Sequence, residues 1–187
     1  MELFEAIESR RTVKAFEQSP LAHDELEALF DAARWAPNHK LTQPWRFRVL
    51  GSNTRAALKA VAAKVAASGA PDGSDPDLIG AVAAKKLDRA PTLVTVSSVR
   101  NPDPVLDAED YAATAVAAYI VLLAAHARGF AGYWRTPEVL RDGEGISAVG
   151  IGADEEVLGL LYLGRPLGEL PPQTERAGTD SFVTYLD

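Results

Sequence analysis

The chain has 187 residues, a length that favours one domain with its own core, and its composition is 47% hydrophobic and 24% charged. It contains no cysteine, which excludes disulfides, thiolate metal sites and cysteine nucleophiles. Its formal net charge of −7 argues against a protein that coats nucleic acid, so any bound phosphate must meet a local basic cluster.

The first predicted elements are two helices and a strand. Leu3, Phe4 and Ile7 share one face of a short first helix, and "HDELEALFDAARWA" repeats the helical pattern until Pro37 ends it. "WRFRVL" (45–50) then alternates with the period of a half-buried strand. Residues 34–47, "RWAPNHKLTQPWRF", therefore cross from a helix to a strand, and their prolines and tryptophans indicate an ordered crossing.

The rest of the chain predicts three more helices and four more strands. A helix through Leu58 and Val65 is followed by "SGAPDGSDPD" (68–77), which is expected to be a mobile loop, and by another helix. "APTLVTVSSV" is expected to be a central strand because it is rich in valine and threonine. The apolar run 112–127 is expected to be a buried central helix, since it falls short of the ~20 residues that a membrane span needs. The last three strands are "FAGYW", "EVLGLLYLG" and the terminal "SFVTYL".

This order of helices and strands lacks strict βαβ alternation, which favours an α+β fold in a single domain over residues 1–187. No G-x-G-x-x-G or Walker motif follows a strand, so the usual nucleotide-binding loops are excluded. The first residues, "MELFEAIESRR", are charged and lack the apolar core of a signal peptide. We therefore expect a cytoplasmic protein that binds neither membrane nor nucleic acid.

One basic cluster stands out in this acidic chain. Arg10, Arg11, Thr12 and Lys14 place three cations and a hydroxyl where the first helix ends. Bases at this position complement the helix dipole, and that interpretation alone would explain them. The alternative is an anion clamp, because guanidinium groups bind phosphate bidentately and threonine adds a donor. The segment by itself leaves both interpretations open.

Two other segments carry candidate side chains. His39 lies in the crossing 34–47, where a histidine is more often structural than functional, and Trp45 is most simply a core residue of a strand. "GYWRTP" (132–137) places an aromatic pair, a base and a hydroxyl at a strand end. Taken alone, this second segment could be a turn with a satisfied arginine.

Together, the motifs "RRT", "AARWAP", "QPWRF", "GYW" and "YLGRP" occur in an order that resembles the FMN-dependent nitroreductase family, over nearly the whole chain. The resemblance implies an α+β fold with a central, mostly antiparallel sheet flanked by helices, and a C-terminal strand exchanged in a homodimer. It also implies that the crossing 34–47 lies against the flavin and reaches the flavin of the partner chain.

The resemblance assigns FMN binding to nine residues in three segments. These residues are Arg10, Arg11, Thr12, Lys14, Trp35, His39, Trp134, Arg135 and Thr136. The first three would bind the phosphate and ribityl end, the last three would pass along the isoalloxazine ring, and His39 would come from the partner chain. Lys14 matches a basic position near the pyrimidine edge in larger members, one that the compact branch of the family does not keep reliably.

The family implies an enzyme that transfers hydride from NAD(P)H through flavin N5 to a small electron-poor acceptor, such as a nitroaromatic or a quinone. No protein general acid is identifiable from the sequence. Two positions depart from the family pattern: Leu41 stands where many members carry Asn, and the C-terminal region offers only Arg176 in place of a basic pair. The alternatives are a specialised flavin enzyme of the same fold and a non-catalytic flavin-binding or flavin-storage protein.

Overall fold

The computed structural model describes residues 1–186, which contain a single sheet of four antiparallel strands in the order β1-β2-β4-β3. The strands are β1 (Trp45–Val49), β2 (Thr92–Val99), β3 (Ala131–Arg135) and β4 (Glu155–Gly164). Seven of the eight residues of β2 are buried, because helices cover both faces of the sheet at its centre. The prediction of an α+β fold with a mostly antiparallel sheet is confirmed.

Six α-helices surround the sheet over the same range. They are α1 (Leu3–Ser9), α2 (His23–Ala33), α3 (Ser52–Ser68), α4 (Pro76–Lys85), α5 (Pro104–Ala127) and α6 (Gly143–Ala148). Both α4 and α5 begin with a proline that follows an aspartate N-cap, Asp75 and Asp103, whose carboxylates accept hydrogen bonds from the first free backbone N–H groups. Short 3₁₀ turns lie at His39–Leu41, Lys86–Asp88, Glu138–Arg141 and Thr179–Ser181.

The hydrophobic core has two layers, one on each face of the sheet. Helices α2 and α5 pack on one face, where Leu29 and Val121 meet Val94 and Leu161. Helix α3 and the chain after α4 pack on the other face, where Leu58 and Leu87 meet Leu93, Leu160 and Tyr162. The alternation of inward and outward side chains along β2 supplies both layers.

Helix α5 is longer than the predicted run 112–127, because Asp103 and Pro104 begin it eight residues earlier. By length and composition it could cross a membrane, but half of its most apolar window is buried within the chain, as expected for a core helix. The predicted loop 68–77 is shorter in the structure for the same reason, since Asp75 caps α4 and the helix begins at Pro76.

The predicted terminal strand "SFVTYL" is wrong for a single chain. Thr179–Ser181 form one 3₁₀ turn, and the residues from Phe182 to Leu186 pair with no strand in the described range. Phe182, Tyr185 and Leu186 are largely exposed. A strand exists only where a neighbour supplies hydrogen-bond partners, so the exchange of this segment between two chains stays a prediction.

Candidate functional site

The basic segment after α1 runs along the free edge of β3. Thr12 forms an isolated bridge with Gly132, and further along Phe16 pairs with Pro166. Val13 and Phe16 point into the core and are buried, while Lys14 between them is exposed. This alternation holds Arg10, Arg11 and Thr12 beside the start of β3.

The two arginines of this segment are used differently. The Arg11 Nη1 atom donates to the carbonyl oxygens of Glu8 and Arg10, the latter at 2.8 Å, so this side chain caps the end of α1. The Nη1 atom of Arg11 therefore interacts with the end of the helix, as the helix-dipole interpretation of the cluster expects. Its Nε atom is buried and has no acceptor among residues 1–186, and the Arg10 guanidinium makes no hydrogen bond there. Neither arginine is paired with a carboxylate of the described chain, which leaves both charges available to an anion.

The end of β3 presents Arg135 and Thr136 rather than the indole of Trp134. The Trp134 side chain packs on the α5 face, and its Nε1 atom donates to the Leu158 carbonyl oxygen at 3.2 Å. Arg135 is half-buried on the opposite face, and Thr136 is exposed. The Trp134 indole is thus partly buried against the core, so we expect contact with a ligand along β3 to come from its main chain and from the next two residues.

A cavity of about 550 Å³ lies between α3, α4 and residues 137–139. Most of its lining is apolar, including Val65, Leu78 and Val82, and its charged side chains are Lys86, Arg135 and Glu138. Lys86 was not among the sequence candidates, because "AAKKLD" looks like the solvated end of a helix. The shared lining places Lys86 and Arg135 at one apolar cavity beside the end of β3.

Tyr133 and Tyr162 stack beside this region with their ring centroids 4.5 Å apart. Both hydroxyl oxygens are buried and find no hydrogen-bond partner within residues 1–186. Burial raises the pKa of Tyr162, the neighbouring Tyr133 adds to this effect, and Arg135 partly offsets it. The two rings form a rigid apolar support behind the Arg135 side of β3.

The crossing 34–47 folds into a tight loop with unusual backbone geometry. Lys40, Leu41 and Gln43 all have φ near +50°, which non-glycine residues rarely adopt. The side chain of Asn38 holds this loop, since Oδ1 accepts from the Gln43 N–H at 2.7 Å and Nδ2 donates to Thr42 Oγ1 at 2.8 Å. Thr42 in turn donates to the carboxylate of Asp110, which is buried in α5. The prediction of an ordered crossing is confirmed.

Two side chains of this loop project outward. Trp35 is 74% exposed with the Arg34 guanidinium 5.4 Å from its ring centre, and Leu41 is 78% exposed. The His39 Nδ1 atom lies 2.6 Å from a carboxylate oxygen of Glu109 on α5. Exposing an indole and a leucine to water is unfavourable for a monomer, so these side chains favour contact with another molecule.

The loop and the basic segment lie at opposite ends of α5. His39 contacts Glu109 near the start of the helix, and Ser9 contacts His126 near its end. About 17 residues of helix separate those contacts, which corresponds to about 25 Å along the axis. Within one chain, therefore, the structure brings Arg10, Arg11 and Thr12 to β3 but keeps Trp35 and His39 away from them.

The comparisons with known proteins agree with this fold. A family model described as "Nitroreductase family" matches residues 7–165. YdjA of Escherichia coli (strain K12) is 29% identical over 189 residues, covering 100% of both chains, and YfhC of Bacillus subtilis (strain 168) is 28% identical over 165 residues, covering 88% of this chain and 84% of YfhC. Both of these proteins are assigned as NAD(P)H nitroreductases.

Solved structures are similar over the whole chain. A nitroreductase-like family protein from Bacillus cereus superposes with a TM-score of 0.83 at 23% identity, covering 100% of this chain and 96% of that one. The FMN-dependent nitroreductase NfnB from Mycobacterium smegmatis, solved with NADPH, superposes with a TM-score of 0.74 at 18% identity, covering 98% and 97%. At such identities the superpositions show a shared fold.

Proposed function

The chain belongs to the nitroreductase family and is an NAD(P)H-dependent flavin oxidoreductase, and we propose that it uses FMN to reduce a small electron-poor acceptor such as a nitroaromatic or a quinone. When bound, FMN would supply the redox chemistry that couples oxidation of the nicotinamide to reduction of the acceptor. The residues of the protein would bind and orient the cofactor and set the electrostatic potential around it.

The observation that carries this proposal is the unpaired basic segment beside β3. Arg10 has no carboxylate partner in the described chain, and Arg11 has a buried Nε–H without an acceptor. A buried donor without an acceptor is costly, and a phosphate oxygen is the acceptor that suits a guanidinium best. The donor set therefore fits the FMN phosphate, with the Thr12 hydroxyl as a further donor and Lys14 on the exposed side.

The ring end of the cofactor is assigned to the other end of β3. Arg135 lies three residues beyond Gly132, or about 10 Å further along the strand, which suits an elongated ligand anchored at Arg10. Trp134 would contribute its main chain, and Arg135 and Thr136 their side chains. The cations at Arg135 and Lys86 would stabilise negative charge on a reduced ring, since both line the same cavity.

We assign Trp35 and His39 to the flavin site of a partner chain in a homodimer. The separation of about 25 Å along α5 excludes them from the phosphate end of their own chain's site. Hydrogen bonds from Asn38 and to Asp110 hold their loop in place. Trp35 is exposed on this loop, so it is accessible to the flavin site of a partner chain. A cytoplasmic location stays a prediction from the sequence.

The first test is the identity of the cofactor. Protein purified without added flavin is expected to release FMN on heating, identified by chromatography. A protein that carries no flavin and takes up none on addition of FMN would contradict the proposal.

The second test separates catalysis from flavin storage. Anaerobic mixing with NADH and with NADPH should bleach the flavin absorbance, and reoxidation by a panel of nitroaromatics and quinones should identify the class of acceptor. A storage protein would not bleach at a useful rate with either nicotinamide. A specialised enzyme with a capping lid is disfavoured, since the chain between α3 and α4 is only Gly69–Asp75.

A further inference from the structure

His126 is a buried titratable group beside the proposed phosphate site that the proposed function does not use. It lies in the last turn of α5 and is 7% exposed. Its Nε2 atom is 2.7 Å from Ser9 Oγ, and Ser9 directly precedes Arg10. This contact ties the end of α5 to the point where the basic segment begins.

The protonation of the Nε2 atom follows from the hydrogen bonds of Ser9. The Ser9 Oγ atom lies 2.6 Å from the Glu5 carbonyl oxygen, which can only accept, so the single hydroxyl proton is donated there. The His126 Nε2 atom must then donate its proton to Ser9 Oγ. This donor exists in the neutral Nε2–H tautomer and in the imidazolium, so the contact survives titration and the second proton binds at Nδ1.

The charges around His126 have opposing effects on its pKa. Burial lowers the pKa of His126, Arg10 and Arg11 lower it further, and Glu5 on α1 opposes them. The carbonyl end of α5 also favours a cation at this position. After the end of α5, the Arg165 guanidinium lies over the Phe130 ring and forms an ion pair with Glu25 of α2, so these two charges neutralise each other.

We propose that His126 is a positioning residue for the phosphate end of the flavin site and that it gains a proton when the FMN phosphate binds at Arg10 and Arg11. This inference rests on the proposed function, because it needs a phosphate at those arginines. The dianion cancels the repulsion that the two arginines exert on an imidazolium, so the protonated form becomes favoured. A proton and the phosphate therefore bind cooperatively.

The sign of the pH dependence follows from this coupling. The pKa of His126 is low without phosphate and higher with it, so FMN binding takes up a proton between those two values. The contribution of His126 to FMN affinity is thus absent at alkaline pH and grows as the pH falls. A rise of about one pKa unit corresponds to about ten-fold in affinity.

The test compares wild-type holoprotein with His126→Gln, whose amide can still donate to Ser9 but cannot take up a proton. Holoprotein is diluted at pH values from 5.5 to 8.0, and the fluorescence of released flavin gives the dissociation constant. The FMN phosphate itself titrates near pH 6, and the ratio of the two proteins at each pH cancels the titration of free FMN. We expect the wild-type advantage to grow steadily as the pH falls from 8.0 to 5.5, toward a limit of about ten-fold for a rise of one pKa unit.

Riboflavin, which lacks the phosphate, provides the matched control ligand. Its affinity ratio between the two proteins should not change with pH. A ratio that is flat for FMN as well would overturn the coupling. A ratio that changes equally for FMN and riboflavin would show a purely structural role for His126.

NMR titration of the His126 ring protons in the wild-type protein gives an answer that does not depend on a variant. The pKa of His126 is expected to be higher with FMN, or with inorganic phosphate, than with riboflavin. An unchanged pKa in the presence of inorganic phosphate would reject the proposal. A protein that binds no flavin but raises the pKa of His126 with phosphate would support coupling between His126 and a phosphate site and would reject the flavin function.

Discussion

Arg10 and Arg11 are neighbours in the sequence but differ in what the fold requires of them. Arg11 donates to two carbonyl oxygens at the end of α1, so part of its role is to cap that helix. Arg10 makes no such bond within the described residues and is half-buried beside β3. Arg10 is therefore the residue whose replacement should affect the ligand most and the fold least.

We predict that Arg10→Ala weakens FMN binding at least ~10-fold, because a charge-assisted hydrogen bond to phosphate contributes about 1.5–3 kcal/mol. Arg128→Ala is the matched control, since Arg128 is an exposed base at the same end of the molecule, outside the segment 10–12. Release of flavin on dilution measures both dissociation constants. Equal affinities of the two variants would leave helix capping as the only role of the cluster.

Glu155 at the start of β4 is the best-connected carboxylate of the sheet. Arg48 donates to it from β1 at 2.9 Å, and Ser97 donates to it from β2. Burial would raise the pKa of Glu155, but the hydrogen bonds from Arg48, Ser97 and the Gly152 N–H together outweigh burial and lower it. A lowered pKa in the folded state means that this group stabilises the protein at neutral pH and loses that contribution as the pH falls.

We predict that Glu155→Gln lowers the free energy of unfolding by about 1–3 kcal/mol at pH 7. Glu156→Gln is the control, because its contact with Arg100 is exposed and should contribute at most about 1 kcal/mol. Urea denaturation measures both. The effect of Glu155→Gln should be constant between pH 6 and 8 and shrink below about pH 4, as the wild-type carboxylate becomes protonated. An effect that persists undiminished in acid would contradict the ionised state of Glu155.

Among the secondary-structure elements, β4 owes its shape to a bulge that also places Trp134. Val96 pairs with Gly159 and Ser97 with Val157, so Leu158 has no partner on β2. The bulge shifts the alternation of side chains, and Leu158 therefore packs on the same face as Leu161. Its free carbonyl oxygen accepts the indole N–H of Trp134.

Gly159 at this bulge has φ +150°, and a Cβ atom there would lie 2.4 Å from Trp134 Nε1 and 2.7 Å from the Arg135 carbonyl oxygen. We predict that Gly159→Ala destabilises the protein by about 2–4 kcal/mol and disturbs Trp134. Gly143→Ala is the control, because nothing lies within 4 Å of the added atom. Thermal unfolding and tryptophan fluorescence measure both effects, and equal behaviour of the two variants would refute this account of the bulge.

At the scale of the whole molecule, exposed apolar side chains occur on several elements, including α1, the crossing 34–47, α4, α5 and the C-terminal segment. Leu3 and Phe4 of α1, Trp35 and Leu41 of the crossing, and the C-terminal segment are all exposed in a single chain. Patches of this kind are typical of surfaces that a partner covers. A terminal segment that alternates apolar residues and has no strand partner among residues 1–186 is suited to the sheet edge of a second chain.

We predict that deletion of residues 180–187 gives a protein that dimerises poorly and loses FMN, although Arg10, Arg11 and Thr12 remain. Sedimentation monitored at the flavin absorbance reports both properties at once. A truncated chain that sediments as a flavin-loaded dimer would show that the segment is dispensable for assembly. A full-length monomer that holds flavin would reject the shared site.

The sequence by itself determined the α+β class and most of the helices and strands, and the family resemblance supplied candidate cofactor residues that stay a prediction. These are local properties, since periodicity, proline and glycine positions and clustered charges can be read within one short segment. It could not place the start of α5, the turn that replaces the terminal strand, or Lys86 at the cavity.

Only the tertiary structure decided which candidates lie together. It joined Thr12 to Gly132, packed the Trp134 indole against the α5 face with its N–H on the Leu158 carbonyl oxygen, and separated His39 from Arg10 by much of the length of α5. It also brought His126 to Ser9, although 117 residues separate them in the chain. Contacts of this kind depend on how α5 packs against the sheet. A short stretch of sequence does not specify them, because the apolar face of one element can pack equally well against many other elements.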